Sequence, residues 1–186
     1  MRRRKQIRLK EYDYSQPGAY FITICTKDRM TLFGKIVGGD VIMNEYGKIV
    51  GSCWNALTDH YDNIALDEFV VMPNHIHGII IINDNAVGAR LPRPYKKITL
   101  GNIVGYFKYQ STVRINEIQK TPGCSVWQRG FYEHVIRDEN SLNHICEYIT
   151  TNPVRWQIDR ENLNCIDTDA FDQWLADEGK RKLPAV

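Results

Sequence analysis

The stretch Val70-Val-Met-Pro-Asn-His-Ile-His-Gly-Ile-Ile-Ile-Ile82 decides the fold, because it predicts two strands joined by a tight Pro-Asn turn. Side chains alternate faces along a strand, so His75 and His77 point to one side and Ile76 to the other. Two imidazoles on a rigid strand provide half of a divalent metal site, since histidine is the commonest metal ligand. The alternative is a pair of histidines on a solvated strand face, so a metal site requires a further ligand elsewhere in the chain.

The segments around this hairpin predict strands and helices in the order of a βαββαβ unit. This order favours an α+β fold with a ferredoxin-like core: a mainly antiparallel sheet with helices packed on one face, plus a C-terminal helical extension. We divide the chain into a basic N-terminal arm over residues 1–18, one domain over 19–156 and a tail over 157–186. The predicted elements are a strand over 19–26, a short return strand over 32–37, a helix over 44–61 with Asn44 as N-cap, strands over 64–72 and 75–82, a helix from Thr99, a strand over 126–137, and a helix over 141–151 capped by 138–140.

The composition is that of a chain with one domain, since 186 residues, of which 43% are hydrophobic and 25% charged, are ordinary for a globular protein. The longest apolar run, Ile79 to Ile82, is too short to cross a membrane, and the N-terminus lacks the apolar segment of a secretion signal. The five cysteines have no CxxC spacing, which argues against a disulfide framework or a zinc knuckle. We therefore expect a cytoplasmic protein with no membrane partner.

Two basic segments are candidates for contact with a polyanion, although the net charge of the chain is only +2. Residues 1–10 contain six Lys and Arg residues and no acidic residue, which suits nucleic acid. Residues 83–97 combine four basic side chains with Tyr95, which could stack on a base while the cations contact phosphates. A solvated tail and a solvated linker are the respective alternatives.

The helix predicted over 141–151 provides a partner for the histidine pair. Tyr148 and Asn152 are four residues apart, so they lie one turn apart on the same helix face, and His144 lies one turn earlier. The phenol could lie beside a metal-bound phosphate, and the amide oxygen of Asn152 is a plausible third metal ligand. The alternative is a buried tyrosine whose hydroxyl is satisfied by Asn152.

Four motifs together resemble the REP-associated tyrosine transposases, which belong to the HUH (His-hydrophobic-His) single-strand DNA transposases. The resemblance covers residues 19–156 and is specific as a set, whereas each motif alone is weak. The motifs are Met72-Pro-Asn-His-Ile-His77, Phe107-Lys108, Val126-Trp-Gln-Arg-Gly-Phe-Tyr-Glu-His-Val-Ile-Arg137 and Tyr148-Ile-Thr-Thr-Asn-Pro-Val154.

This resemblance implies that residues 19–156 are a catalytic domain that uses one tyrosine and a divalent ion to cut and rejoin single-stranded DNA. His75 and His77 match the HUH pair, Tyr148 matches the nucleophile, and Asn152 matches the polar helix residue that helps to bind metal. Mg²⁺ or Mn²⁺ would be held by the two histidines and Asn152, and Tyr148 would form a 5′-phosphotyrosine. His144 or a water molecule would serve as the base.

The resemblance also implies a DNA partner: a REP-like hairpin with a short single-stranded flank. The oligomeric state stays open between monomer and homodimer. Basic side chains from the arm, the loop over 83–97 and the later elements are the candidate phosphate contacts. They are Arg2, Arg3, Arg4, Arg90, Arg93, Lys96, Lys97, Lys108, Arg129 and Arg137.

Two other functional classes remain open at the level of sequence. The first is a hydrolytic phosphodiesterase that uses the histidine-metal centre and water, with Tyr148 in a structural role. The second is a non-catalytic module that only binds hairpin DNA. A covalent protein–DNA adduct would distinguish the transposase from both.

Overall fold

In this computed structural model, which describes residues 12–84, 98–167 and 169–178, a four-stranded antiparallel sheet runs through the centre of the fold. The strand order is β4-β5-β1-β6, with an antiparallel register between each pair of neighbours. This is the ferredoxin-like order that the sequence predicts. The elements are β1 (Gly18–Cys25), β2 (Gly34–Val37), β3 (Asp40–Met43), α1 (Glu45–Asn55), α2 (Leu57–His60), β4 (Ile64–Val71), β5 (His75–Ile82), α3 (Leu100–Gln119), β6 (Tyr132–Ile136), α4 (Glu139–Thr151) and α5 (Ala170–Glu178).

The strand that carries the two histidines lies inside the sheet rather than at its edge. Strand β5 pairs with β1 on one side and with β4 on the other, and His77 is opposite both Thr23 and Val70. Hydrogen-bonded neighbours on both sides fix the register of a strand, because a shift of one residue would turn every side chain to the other face. The sheet therefore sets the position and direction of both imidazoles.

Helices cover both faces of the sheet, whereas the sequence predicts them on one face. On one face, Ile22 and Ile80 belong to a core cluster with α1 and α3; on the other face, Phe21 and Ile79 belong to a cluster with α4 and α5. The physical reason is the run of isoleucines at the end of β5, which places apolar side chains on both faces and leaves neither suited to water. The predicted α+β class, the antiparallel sheet and the C-terminal helix are confirmed.

Side-chain caps fix the starts of three helices. Asn44 Oδ1 accepts a hydrogen bond from the Gly47 N–H at 3.0 Å, and Asp138 Oδ1 accepts one from the Ser141 N–H at 2.7 Å. Thr99 begins α3 with a reciprocal capping box. The caps at Asn44 and Thr99 confirm the predicted starts of α1 and α3, whereas α4 begins at Glu139, two residues before the predicted start at Ser141. Within the described ranges, no helix combines the length and apolarity needed to span a bilayer.

Two predicted strands differ from the structure. The strand expected over 126–137 is regular only in β6, and before β6 the chain makes one isolated bridge, between Trp127 and Thr26. The return strand expected over 32–37 is β2, and it forms a hairpin with β3. The hairpin turns at Gly38 and Gly39, whose φ angles of 63° and 91° suit the glycine-rich two-residue turns that join twisted strands.

Candidate metal and nucleophile site

The two histidines of β5 direct their Nε2 atoms at each other across 3.0 Å. Both side chains are buried, with 0% of His75 and 2% of His77 exposed. The alternative of histidines on a solvated strand face is therefore wrong. Two imidazole nitrogens that converge in a dry space are arranged to share a cation or a proton.

Asn74 fixes the tautomer of His75. The Asn74 amide donates through Nδ2 to the carbonyl oxygens of Glu161 at 2.7 Å and Arg29 at 3.2 Å, so its Oδ1 faces His75 Nδ1 at 2.8 Å. An amide oxygen only accepts, so His75 Nδ1 carries the hydrogen and Nε2 presents its lone pair to the site. Thr23 Oγ1 makes the matching contact with His77 Nδ1 at 2.9 Å. Partners of this kind orient metal-binding histidines.

Asp159, which the sequence analysis places in the tail, completes a group of three potential metal ligands with the histidine pair. One ligand atom from each of His75, His77 and Asp159 lies within 4.8 Å of the others, and all three residues are buried. Asp159 Oδ2 is 3.7 Å from His75 Nε2, while Oδ1 accepts a hydrogen bond from the Glu161 N–H at 2.6 Å. The group can hold a divalent metal ion.

Asn152, the predicted third ligand, lies next to Asp159. Its Nδ2 donates to Asp159 Oδ2 at 2.8 Å, and its Oδ1 is buried with no hydrogen-bond partner among the described residues. A buried oxygen without a donor is costly unless something else satisfies it, and a cation would do so. The contact with Asp159 thus brings Asn152 to the site, and its role as a ligand stays a prediction.

The structure also brings Tyr148 to the histidine pair. Its hydroxyl oxygen is 3.3 Å from His77 Nε2, and only 4% of the residue is exposed. Burial, followed by the negative charge of Asp159, raises the pKa of the Tyr148 phenol well above its ordinary value. The phenol is therefore neutral in this structure and needs a cation or a base before it can act as a nucleophile.

His144 does not lie beside the Tyr148 hydroxyl as a base should. Its ring stacks on Trp174 of α5, with centroids 4.3 Å apart and planes 17° apart, and the residue is exposed. The imidazole in hydrogen-bond range of the phenol is His77 instead. Helical spacing places His144 on the same face of α4 as Tyr148. It does not determine which side chains of α4 will pack against α5.

The C-terminal segment contributes more to the site than its sequence suggests. After α4 ends, successive turns bring Asp159 back to the histidines, and α5 stacks Phe171 on Tyr148 with centroids 3.6 Å apart and planes 6° apart. The available sequence signal for Asp159 is a carboxylate a few residues after the tyrosine helix. Several other carboxylates follow it in the chain, so the signal alone does not select it.

The predicted phosphate contacts have different environments. Lys108 Nζ donates to the carbonyl oxygens of Gln128 at 2.7 Å and Gly130 at 2.9 Å, and burial lowers its pKa to about 8. Arg137 donates to the Glu178 carbonyl at 3.1 Å, and Arg129 is exposed. The remaining candidates lie outside the described residues: Arg2, Arg3, Arg4, Arg90, Arg93, Lys96 and Lys97.

Known proteins resemble this chain over most of its length, although no family model matches it. It is 40% identical over 167 residues to an uncharacterized protein of Haemophilus influenzae, covering 84% of this chain and 92% of that protein. It is 26% identical over 155 residues to a second H. influenzae protein, provisionally named a REP-associated tyrosine transposase, covering 77% of this chain and 74% of that protein. A solved structure described as a REP-associated tyrosine transposase bound to a REP hairpin has the same fold, with a TM-score of 0.56, 19% identity, and coverage of 80% of this chain and 74% of that chain.

Proposed function

We propose that this chain is a member of the REP-associated tyrosine transposase family, as its similarity to a relative provisionally named so supports, and that it is a metal-dependent single-strand DNA endonuclease and strand transferase that acts on REP-like hairpins. Tyr148 is the nucleophile and forms a 5′-phosphotyrosine intermediate. The observation that carries this proposal is the convergence of the Tyr148 hydroxyl with the buried ligand group His75, His77 and Asp159.

The donors of the site fit a divalent cation. Two imidazoles and one carboxylate form the group, and the buried Oδ1 of Asn152 is an additional oxygen donor without a hydrogen-bond partner among the described residues. Mixed nitrogen and oxygen ligands suit Mn²⁺ better than Mg²⁺, which prefers oxygen. When bound, such a cation polarises the scissile phosphate as a Lewis acid and offsets the carboxylates that raise the phenol pKa.

The residues of the chain have distinct roles in the proposed reaction. The Tyr148 oxygen bonds to phosphorus, the bond from phosphorus to the 3′ oxygen breaks, and that oxygen leaves as a 3′-hydroxyl after it takes up a proton. One nitrogen cannot hold both a cation and a proton, so His77 serves as a ligand and the phenolic proton leaves through water. Rejoining reverses these steps without an external energy source, because the phosphotyrosine keeps the ester bond energy.

The test uses a hairpin oligonucleotide with a single-stranded 5′ flank, labelled at its 3′ end, incubated with protein and Mn²⁺. Wild-type protein is expected to give a denaturation-resistant adduct on the labelled fragment. Tyr148→Phe keeps the stacking on Phe171 but loses the nucleophilic oxygen, so adduct formation should fall at least about 1,000-fold. Tyr132→Phe, on the same face of the sheet, is the matched control and should behave as wild type.

Four results would contradict the assignment. An adduct that survives in Tyr148→Phe, or that maps to a peptide without Tyr148, would show that another residue is the nucleophile. Cleavage by wild type without any adduct would favour the hydrolytic phosphodiesterase. Hairpin binding without cleavage in Mn²⁺ would favour the non-catalytic binding module.

A further inference from the structure

Arg155 places a positive charge beside the proposed nucleophile. The turns after α4 fix its backbone, since its N–H donates to the carbonyl oxygens of Asn152 at 3.1 Å and Thr151 at 3.2 Å. Its guanidinium carbon lies 5.7 Å from the centre of the Tyr148 ring, and 30% of the side chain is exposed. The guanidinium thus lies in cation–π range of the buried Tyr148 ring and is also partly open to solvent.

The surroundings of Tyr148 are rich in negative charge. Several carboxylates act on the phenol, and a DNA phosphate that approaches it meets the same repulsion. Guanidinium is the side chain best suited to phosphate, because it donates two parallel hydrogen bonds and stays charged. The carboxylates that raise the pKa of Tyr148 are Asp159, Asp172, Asp169 and Glu161.

In this structure the Arg155 guanidinium is paired with Asp169. Asp169 is 3% exposed, its Oδ1 also accepts a hydrogen bond from the Phe171 N–H at 2.8 Å, and its Oδ2 is buried with no hydrogen-bond partner within the described part of the chain. A buried carboxylate in this condition depends on its cation for compensation. The pair therefore fastens the start of α5 to the segment that follows the tyrosine helix.

Helix α5 covers the nucleophile. Phe171 lies parallel to the Tyr148 ring at 3.6 Å, and Trp174 stacks on His144 one turn earlier on α4. With 4% of Tyr148 exposed, its hydroxyl cannot meet a phosphate on a DNA strand in this arrangement. A productive complex requires α5 to move away from the ring.

We propose that Arg155 is a phosphate-binding residue of this site, and that the scissile phosphate replaces Asp169 as its partner and thereby releases α5 from Tyr148. The phosphate takes the place of Asp169 as the anion that pairs with the Arg155 guanidinium. The Asp169 carboxylate then faces water. This inference rests on the proposed function for the identity of the phosphate.

The test compares two variants that remove the same ion pair from opposite sides. Arg155→Gln removes the phosphate contact, so adduct formation with the hairpin oligonucleotide should fall about 100-fold, as when a single charge-stabilising donor is lost. Asp169→Asn frees Arg155 and loosens α5, so the rate should rise several-fold. If the ion pair is purely structural, both variants should change the rate of adduct formation in the same direction. That result would overturn the inference. Arg155→Lys, which keeps the charge, should lie between wild type and Arg155→Gln.

A binding measurement in EDTA tests the phosphate contact without the reaction. The affinity for the same hairpin is measured over a range of salt concentrations. Arg155→Gln should reduce the slope of log affinity against log salt by about 0.7, the share of one phosphate contact on a single strand, whereas Asp169→Asn should not reduce it. An unchanged slope in Arg155→Gln would overturn the inference even if adducts form. A reduced slope in the absence of any adduct would support the contact and count against the proposed transferase.

Discussion

The two sides of the site are built by different means. His75 and His77 lie on β5, which pairs with neighbours on both sides, and Asn74 and Thr23 orient their rings. The opposite side consists of the end of α4, the turns that lead to Asp159, and α5, and it is joined by side-chain contacts such as that from Asn152 to Asp159. We call the part on β5 the strand side and the part from the end of α4 to α5 the turn side. Backbone pairing makes the strand side rigid, whereas the position of the turn side depends on charged side chains.

The two sides of the site also differ in charge. The strand side contributes two imidazoles, and the turn side contributes buried carboxylates whose charge raises the pKa of Tyr148. Buried carboxylates are stable only when they are paired with cations or hydrogen-bond donors. A bound cation would therefore stabilise the turn side more than the strand side. The predictions that follow test this difference between the two sides.

The largest expected effect concerns the binding of Mn²⁺ across both sides. His77→Ala and Asp159→Ala each remove one member of the ligand group, so each should weaken Mn²⁺ binding by at least about 100-fold in calorimetric titration. Asn152→Ala should weaken Mn²⁺ binding by roughly 10- to 100-fold, because it removes an oxygen atom beside the ligand group. If Asp159→Ala binds Mn²⁺ as wild type does, the cation is held by the strand side and the helix alone.

The packing beneath the strand side should tolerate little change. A Cβ added at Gly78 would lie 2.5 Å from Trp54 Cζ2 and 3.1 Å from Phe69 Cδ2, in a pair of stacked rings. Gly78→Ala should therefore lower the free energy of unfolding by about 2 kcal/mol in urea titrations, as overpacking does. The control is Gly51→Ala on α1, where a Cβ meets nothing within 4 Å and stability should rise by up to about 1 kcal/mol. Equal effects in the two variants would show that β5 can shift.

The smallest expected effect is a loss of stability in acid at His134 on β6. Burial lowers the pKa of His134 to about 4, below the value of 6.5 expected in the unfolded chain. The folded form thus prefers the neutral ring, so this stabilisation is complete above about pH 6.5 and is lost as the pH falls towards 4.

From about pH 7 to pH 5.5 the resulting loss at His134 should be about 1 kcal/mol. Urea titrations of wild type and His134→Gln at both pH values measure it, because the variant lacks the ionisable ring and should lose correspondingly less stability. The same loss in the variant would assign the acid sensitivity to other groups, such as the carboxylates of the turn side.

The sequence predicts those parts of the site whose geometry follows from local periodicity. A period of two places His75 and His77 on one strand face, and a period of 3.6 places Tyr148 and Asn152 on one helix face. The caps at Asn44 and Asp138 are similarly local, because the side chain binds a backbone group a few residues ahead. All these features can be predicted without knowledge of the path of the chain between elements.

Tertiary structure alone decides which distant side chains meet. Asp159 reaches His75 through irregular turns after α4, and Phe171 covers Tyr148 because α5 folds back onto the tyrosine helix. Lys108 donates to the carbonyl groups of a loop about twenty residues away, a use that its basic charge does not indicate. Side-chain direction within one element repeats with a fixed period, whereas the meeting of two elements depends on every turn and every packed side chain between them.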